Sequence, residues 1–296
     1  MGNWVARGGL SATRATEIID FLTSRGTMAF TLSELAKELG INIASSHAIL
    51  QALTKSGHLS RHPKHKTYTL GPALVAIGHV ALRNHTLIAR AETSIAEFNR
   101  NEGVEILLSM RAGDTVLGLA HSQVDGISRS LLRTGQRVPL HVPFGATLVA
   151  WESDVEIDKW IKRGLPAKAE NDLAEELRTL LALIRQRGYQ ICLKIDVQGE
   201  FKASTTELDA NRYVRAAARR MQLVHNNFHA LSFDPGAASE TELYPVDFMT
   251  APLFDHHNRA IYALTLYGFE QPMSGKEIFA LLTKLLTMCA DIGSEY

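Results

Sequence analysis

At 296 residues and 46% hydrophobic content, the chain has the composition of a soluble globular protein and the length for two ordinary domains. Two cysteines, Cys192 and Cys289, exclude a disulfide framework and suit a reduced compartment as buried small hydrophobes; the first residues lack the apolar core of a signal peptide, and no stretch has the length of a membrane span. The expected location is the cytoplasm, with no membrane partner.

Formal charge is zero, 31 basic against 31 acidic side chains, but it is unevenly spread. Residues 1–71 hold eight Lys and Arg (Arg7, Arg14, Arg25, Lys37, Lys55, Arg61, Lys64, Lys66) against four acids (Glu17, Asp20, Glu34, Glu38), a surplus of four that the rest of the chain offsets. His47, His58, His62 and His65 can only add to it. Such an asymmetry points to a front segment that meets a polyanion.

The first ten residues, with three glycines and no periodicity, read as a flexible arm. Ala15, Ile18, Ile19 and Leu22 then recur at the spacing of an amphipathic helix over 13–24. Thr31 stands three residues before Glu34, the pattern of a capping box, and Leu32, Leu35, Ala36 and Leu39 give a second helix its buried face, which Gly40 ends. Asn42 caps a third helix to Lys55, stopped by Gly57. Two β-prone runs, 58–61 and 67–70, flank the turn-like His62, Pro63, Lys64, His65 and Lys66. Three short helices followed by a hairpin are the elements of a winged helix-turn-helix.

Gly71 and Pro72 mark a boundary. From Ala73 to Arg100 there is almost no helix breaker, which predicts one long linker helix whose Leu74, Ile77 and Leu82 bury against a partner chain. Beyond it, strands are expected over 105–110 and 115–120, a helix starting near Pro143 and containing Val149, a helix over 173–187, and strands over 189–193 and 262–267. Mixed strands and helices over about two hundred residues predict an α+β fold for the larger domain. The expected division is an arm (1–10), a winged helix-turn-helix (11–71), a linker helix and start of the second domain (72–100), and a sensor domain (101–296).

On the third helix, Ser46, Ile49, Leu50 and Leu53 share one face, while Ala44, His47, Ala48, Gln51 and Lys55 share the other. In helix-turn-helix geometry the outward face enters the major groove, where small residues allow close approach and polar ones reach base edges or phosphates. The candidate DNA-binding set is Ser45, Ser46, His47, Gln51 and Lys55 on this helix, with Arg61, Lys64 and Lys66 on the hairpin. Ser46 is counted with them although it sits on the apolar side. The alternative is a solvated face of a helical domain and a soluble basic turn. The third helix holds no Arg, so bidentate reading of guanine is not available from it.

The segments "TLSELAKELGINIASSHAILQALTKSGHLSRHPKHKTYTLGPALVAIG" (31–78), "GQRVPLHVPFGATLVAW" (135–151) and "APLFDHHNRAIYALTLYG" (251–268) resemble the IclR family of bacterial transcription regulators. The resemblance implies a winged DNA-binding domain joined by a linker helix to a GAF-like effector-binding domain, a homodimer or tetramer, a double-stranded operator, and a small organic effector, acidic or aromatic. The family commonly carries Arg after the recognition-helix His, where Ala48 stands here. The segment 196–246 is longer than the family pattern, and Arg212, Arg215, Arg219 and Arg220 within it fit a solvated helix or a second polyanion contact.

For the effector, Phe144, Gly145 and Ala146 open the helix near Pro143, where free amides and the helix dipole can hold a carboxylate. Thr265 and Tyr267 alternate with Leu264 and Leu266, so their hydroxyls share a side. In proteins similar to this one these positions line the effector pocket, and Met249 joins them. For each residue singly, the alternative is ordinary packing of a helix on a sheet.

An enzyme finds no GxSxG, HExxH, GxGxxG or P-loop; "GFEQPMSGKE" (268–277) has the wrong spacing. No cofactor is expected. A metal sensor is the other rival, through His225 and His229 or through Asp255, His256 and His257, although Asp255 to Asn258 reads better as a polar hairpin turn. A DNA-bending protein is a third, which leaves the larger domain without a role. The reading adopted is a regulator, repressor or activator, in which effector binding changes the spacing of paired DNA-reading heads.

Overall fold

A computed structural model describes residues 9–124, 130, 132–142, 144–164, 171–194, 228–255 and 257–294. The chain divides into two compact units, Met1–Ala89 with Thr134–Gln136, and Arg90–Arg133 with Arg137–Tyr296.

In the first unit α1 (Leu10–Ser24) begins three residues before the expected start, within the segment read as an arm, and buries Ile18 and Leu22. Residues 1–8 lie outside the described residues. The capping box of α2 (Leu32–Glu38) is formed: the Glu34 amide donates to Thr31 Oγ1 at 3.3 Å, and the Thr31 amide donates to Glu34 Oε2 at 2.7 Å. Hydrogen bonds from Thr31 backbone and hydroxyl hold the Glu34 carboxyl below its ordinary range. Gly40, at φ +62°, turns the chain into α3 (Ile43–Lys55), where Asn42 Oδ1 accepts the Ser45 amide at 2.8 Å.

β1 (Leu59–Arg61) and β2 (Tyr68–Leu70) pair antiparallel, with Leu59 opposite Leu70, and Phe30 bridges the backbone of Tyr68. Ile18, Leu22, Leu35, Ile41, Leu50, Leu59 and Tyr68 form one core beneath these elements. At Gly71 a Cβ would lie 2.2 Å from the Gly57 carbonyl oxygen, so the hairpin returns against the end of α3 only with glycine there.

The single linker helix is not observed. It is two helices, α4 (Ala73–Asn84) and α5 (Thr86–Glu102), separated at His85, whose φ of −121° and ψ of 68° leave the helical region. Asn84, His85 and Thr86 are three successive residues of poor helix propensity, and together they break the helix without Gly or Pro. The His85 amide ends α4 on Ala81, and its carbonyl accepts the Ile88 amide at 3.0 Å to begin α5. The division between the two compact units falls inside α5, between Ala89 and Arg90, within the span 72–100 expected to hold the linker helix and the start of the second domain.

The second unit holds β3 (Glu105–Ala112), β4 (Thr115–Ser122), β5 (Arg137–Pro139), α6 (Ala146–Val149), α7 (Asp154–Gly164), α8 (Asn171–Arg187), β6 (Gln190–Leu193), α9 (Phe228–Leu231), β7 (Leu243–Tyr244), β8 (Val246–Phe254), β9 (Ala260–Tyr267), β10 (Met273–Ser274) and α10 (Gly275–Gly293). β5, β4, β3, β9, β8 and β6 lie side by side in that order as an antiparallel sheet. Leu107 and Ala263, with the half-buried Phe248 and Tyr267, join the core formed with α6, α7 and α8. The alternate residues Ile106, Leu108, Met249, Leu264 and Leu266 are fully buried on the opposite face. α10 packs along β8, and Lys284 ties it to Glu102 of α5 at 2.7 Å.

The expected polar turn joins β8 to β9. Asp255 Oδ1 accepts the amides of His257 and Arg259 at 3.0 and 2.9 Å, and its Oδ2 accepts two guanidinium N–H groups of Arg259 at 2.9 and 2.6 Å. Burial pushes the Asp255 carboxyl up, but these donors together hold it below the usual carboxylate range. Its oxygens are thus committed to the turn, which accounts for Asp255 without a metal. His225, His256 and the arginines at 212, 215, 219 and 220 lie outside the described residues, as does the side chain of His229. Both cysteines are buried, and burial pushes the Cys289 thiol up to about 12.

Candidate functional site

The outward side of α3 is continuous. Ala44, His47, Ala48, Gln51 and Lys55 are exposed and Ser45 is half-buried, while Leu50 is sealed in the core. Ser45 sits one turn into the helix, and its amide is already used by the Asn42 cap, which leaves its hydroxyl as the polar group at the helix entrance. Ser46 must be removed from the candidate DNA-binding set. It is 1% exposed and faces inward, as its spacing with Ile49, Leu50 and Leu53 requires, and its hydroxyl has no partner among the described residues.

On the hairpin Arg61, Lys64 and Lys66 are exposed beside His62 and His65. Lys66 holds φ +57°, a left-handed conformation uncommon for a residue with a Cβ. The Arg61 guanidinium lies 5.6 Å from the centre of the Tyr68 ring opposite it, so part of this residue's role is to cover the core edge. Two separated runs of sequence, 44–55 and 61–66, thereby form the exposed polar and basic parts of one small unit. That is the arrangement a helix-turn-helix uses to place one helix in a groove and a wing on the backbone.

In the second unit the sheet register defines a row of side chains on the face toward α6. His121, Leu107, Thr265, Thr250 and Gln190 are successive cross-strand partners. Thr265 Oγ1 donates to Thr250 Oγ1 at 3.0 Å, and both residues are buried. In the next row Glu105 pairs with Tyr267, whose ring lies 6.2 Å from that of Phe248. Fully buried Glu105 meets His121 Nε2 at 2.5 Å and accepts the Ser130 amide at 3.0 Å. Thr265 and Tyr267 do share a side, as their alternation predicts. Thr250, Glu105 and His121 belong with them and were missed, because strand alternation gives a face but not which strands are neighbours.

Three expectations for this site are corrected. Met249 is cross-strand partner to Leu266, not to Thr265, so it points to the opposite face of the sheet. The Phe144 amide is not free: it donates to the His141 carbonyl at 2.7 Å, and the Phe144 carbonyl accepts Trp160 Nε1 at 2.8 Å. The helix expected near Pro143 is only the four residues of α6, with Gly145 as its left-handed N-cap at φ +78°. What approaches Gly145 closely is a side chain of the protein: a Cβ there would lie 2.4 Å from Leu140 Cδ1. Ala146 is buried, and on the same turn Thr147, 3% exposed, carries a hydroxyl with no partner among the described residues.

A winged helix-turn-helix followed by an α+β domain with a polar face to its sheet defines a DNA-binding regulator with a sensor domain. Residues 11–63 match the IclR helix-turn-helix domain, and residues 79–217 match the bacterial transcriptional regulator IclR C-terminal domain. The transcriptional regulator XynR of Escherichia coli (strain K12) is 25% identical over 197 residues, which cover 64% of this chain and 76% of that protein. The glycerol operon regulatory protein of Streptomyces griseus is 28% identical over 198 residues, 66% of this chain and 77% of that one.

Among solved structures, an IclR regulator from Alicyclobacillus acidocaldarius superposes with a TM-score of 0.68 at 19% identity, covering 96% of this chain and 97% of that one. An IclR homologue from Microbacterium hydrocarbonoxydans does so at 0.63 and 16% identity, covering 96% and 98%. The chain belongs to the IclR family of bacterial transcriptional regulators.

Proposed function

We propose that α3 and the β1–β2 wing hold an operator, with His47 and Gln51 reading bases and Ser45, Lys55, Arg61, Lys64 and Lys66 contacting phosphates. The observation that carries this reading is the uninterrupted exposed face of α3, small and polar from Ala44 to Lys55, in a unit where side-chain caps hold α2 and α3 over a closed core. His47→Ala changes sequence preference, and Lys64→Ala weakens all DNA alike and lowers the salt slope by about one. Unchanged binding in both variants removes this surface from consideration.

The sensor ligand proposed is a small organic acid with an aromatic or hydroxylated body, held against the sheet face by Ala146, Thr147, Thr265 and Tyr267. Supporting it are the buried hydroxyl pair Thr265–Thr250, the Tyr267–Phe248 ring pair, and the Thr147 hydroxyl, which has no partner among the described residues and which a ligand would satisfy. The Microbacterium homologue was crystallised with 4-hydroxybenzoate, a ligand of this class. Titration of the operator complex with aromatic and aliphatic acids tests it, since an effector acts only through different affinity for the DNA-bound and free states. If every such acid leaves operator affinity unchanged, the coupling is wrong.

A second copy of the chain is proposed as the partner of α4. No residue of that helix is buried, and Val75, Ile77 and Val80 are 61%, 52% and 49% exposed. Sedimentation of Ile77→Asp with Val80→Asp shows a smaller assembly than the parent if this holds, and an unchanged one if it does not. The protein is taken as a cytoplasmic regulator without enzymatic activity. No helix among the described residues is long and apolar enough to cross a membrane.

A further inference from the structure

The wing tip is a five-residue turn, His62 to Lys66, that must present Lys64 and Lys66 in fixed positions. Its backbone is closed by His62, whose amide donates to the Thr67 carbonyl at 2.8 Å and whose carbonyl accepts the Lys66 amide at 3.0 Å. Those bonds leave the amides of Lys64 and His65 inside the turn. Both point at one atom: Lys64 N lies 3.2 Å and His65 N 3.1 Å from His62 Nδ1. The ring is further held against that of His65, with centroids 4.6 Å apart.

Two N–H groups converging on one ring nitrogen require that nitrogen to be an unprotonated acceptor. An Asn or Asp side chain does the same work in an Asx turn, accepting amides two residues on. Asp would add a negative charge to a surface read here as facing phosphates. Neutral imidazole supplies the acceptor without that charge, and leaves Nε2 to carry the proton.

We infer that His62 is a positioning residue for DNA binding: its neutral imidazole caps the wing-tip turn through Nδ1 and so fixes Lys64 and left-handed Lys66 for phosphate contact. The inference rests on the reading that the wing meets DNA. It is distinct from a simple phosphate contact by a histidine, because Nδ1 is already occupied by the two turn amides.

The test measures binding of the full-length protein to sheared genomic DNA at low salt for the parent, Lys64→Ala, His62→Ala, His62→Asn and His62→Gln. The Asn oxygen occupies the place of Nδ1, whereas the Gln amide reaches the place of Nε2. His62→Ala and His62→Gln weaken binding about five- to tenfold, the scale of a lost cap, and His62→Asn stays within about twofold of the parent. Imidazole nitrogen NMR of the parent shows His62 as the tautomer protonated on Nε2 and bare on Nδ1. Rescue by Gln and not Asn, equal loss in all three, no loss in any while Lys64→Ala weakens binding, or the opposite tautomer each overturns the cap. If Lys64→Ala also binds as the parent does, the wing is not a DNA contact and both readings fall together.

Discussion

The DNA-reading unit and the sensor unit are held together differently. The first is a small core of seven buried side chains framed by local devices, in which Thr31 caps with Glu34, Asn42 caps α3, and Gly40 and Gly57 end helices. The second is organised by pairings between strands far apart in sequence, so that Glu105 meets Tyr267 and Gln190 meets Thr250. Local devices leave a signature within a few residues of sequence; cross-strand register does not. The proposed function divides along the same line: the DNA surface proposed above is one short run of helix and hairpin, whereas the sheet face proposed for the ligand is assembled from five strands.

Substitutions in the two units test that contrast, and the largest effect is expected in the smaller core. Leu50→Ala removes a fully buried side chain and costs about 2–5 kcal/mol, unfolding the DNA-reading unit while the sensor unit still melts cooperatively. Calorimetry resolves the two transitions, and a single unchanged transition contradicts the division into units.

Asp255→Ala acts on the sensor unit instead, removing the acceptor of four hydrogen bonds at a buried turn, for about 1–3 kcal/mol. Because the folded carboxyl lies below its ordinary value, the parent's contribution is complete above the unfolded carboxylate value, about 3.9, and fades as pH falls through the folded one. The stability gap between parent and variant therefore closes in acid; a gap that widens there reverses the sign and refutes the account.

Thr31→Ala removes the hydroxyl that accepts the Glu34 amide and costs about 1 kcal/mol by denaturant midpoint. Ser46→Ala lies at the small end. Since its buried hydroxyl has no partner among the described residues, the change leaves stability within about 0.5 kcal/mol or raises it, and leaves DNA preference untouched. A large loss of sequence preference in Ser46→Ala would restore Ser46 to the reading surface.

Almost all of the winged helix was legible in the residues because every boundary carries a chemical marker: Thr31 with Glu34, Asn42, Gly57, and the turn from His62 to Lys66. The linker failed for the complementary reason. Asn84, His85 and Thr86 are weak helix formers individually, and a search for Gly or Pro passes over them. In the sensor domain, alternation correctly set Thr265 and Tyr267 on one side, but Met249 was placed by similarity of position and not by register. Its pairing with Leu266, visible only in three dimensions, puts it on the other face. Glu105 opens a strand that was recognised, yet nothing near it in sequence announces that a buried carboxylate will meet His121 sixteen residues on.

The most direct test of the central claim, that α3 and the wing read a specific operator, is selection of genomic fragments by the purified protein at near-physiological salt, repeated with His47→Ala. The account predicts enrichment of a discrete intergenic site by the parent and a shifted or lost preference in the variant, with retitration of the winning fragment against small acids then identifying the effector. Identical enrichment by both proteins, or none over bulk DNA in the presence of every candidate acid, contradicts it.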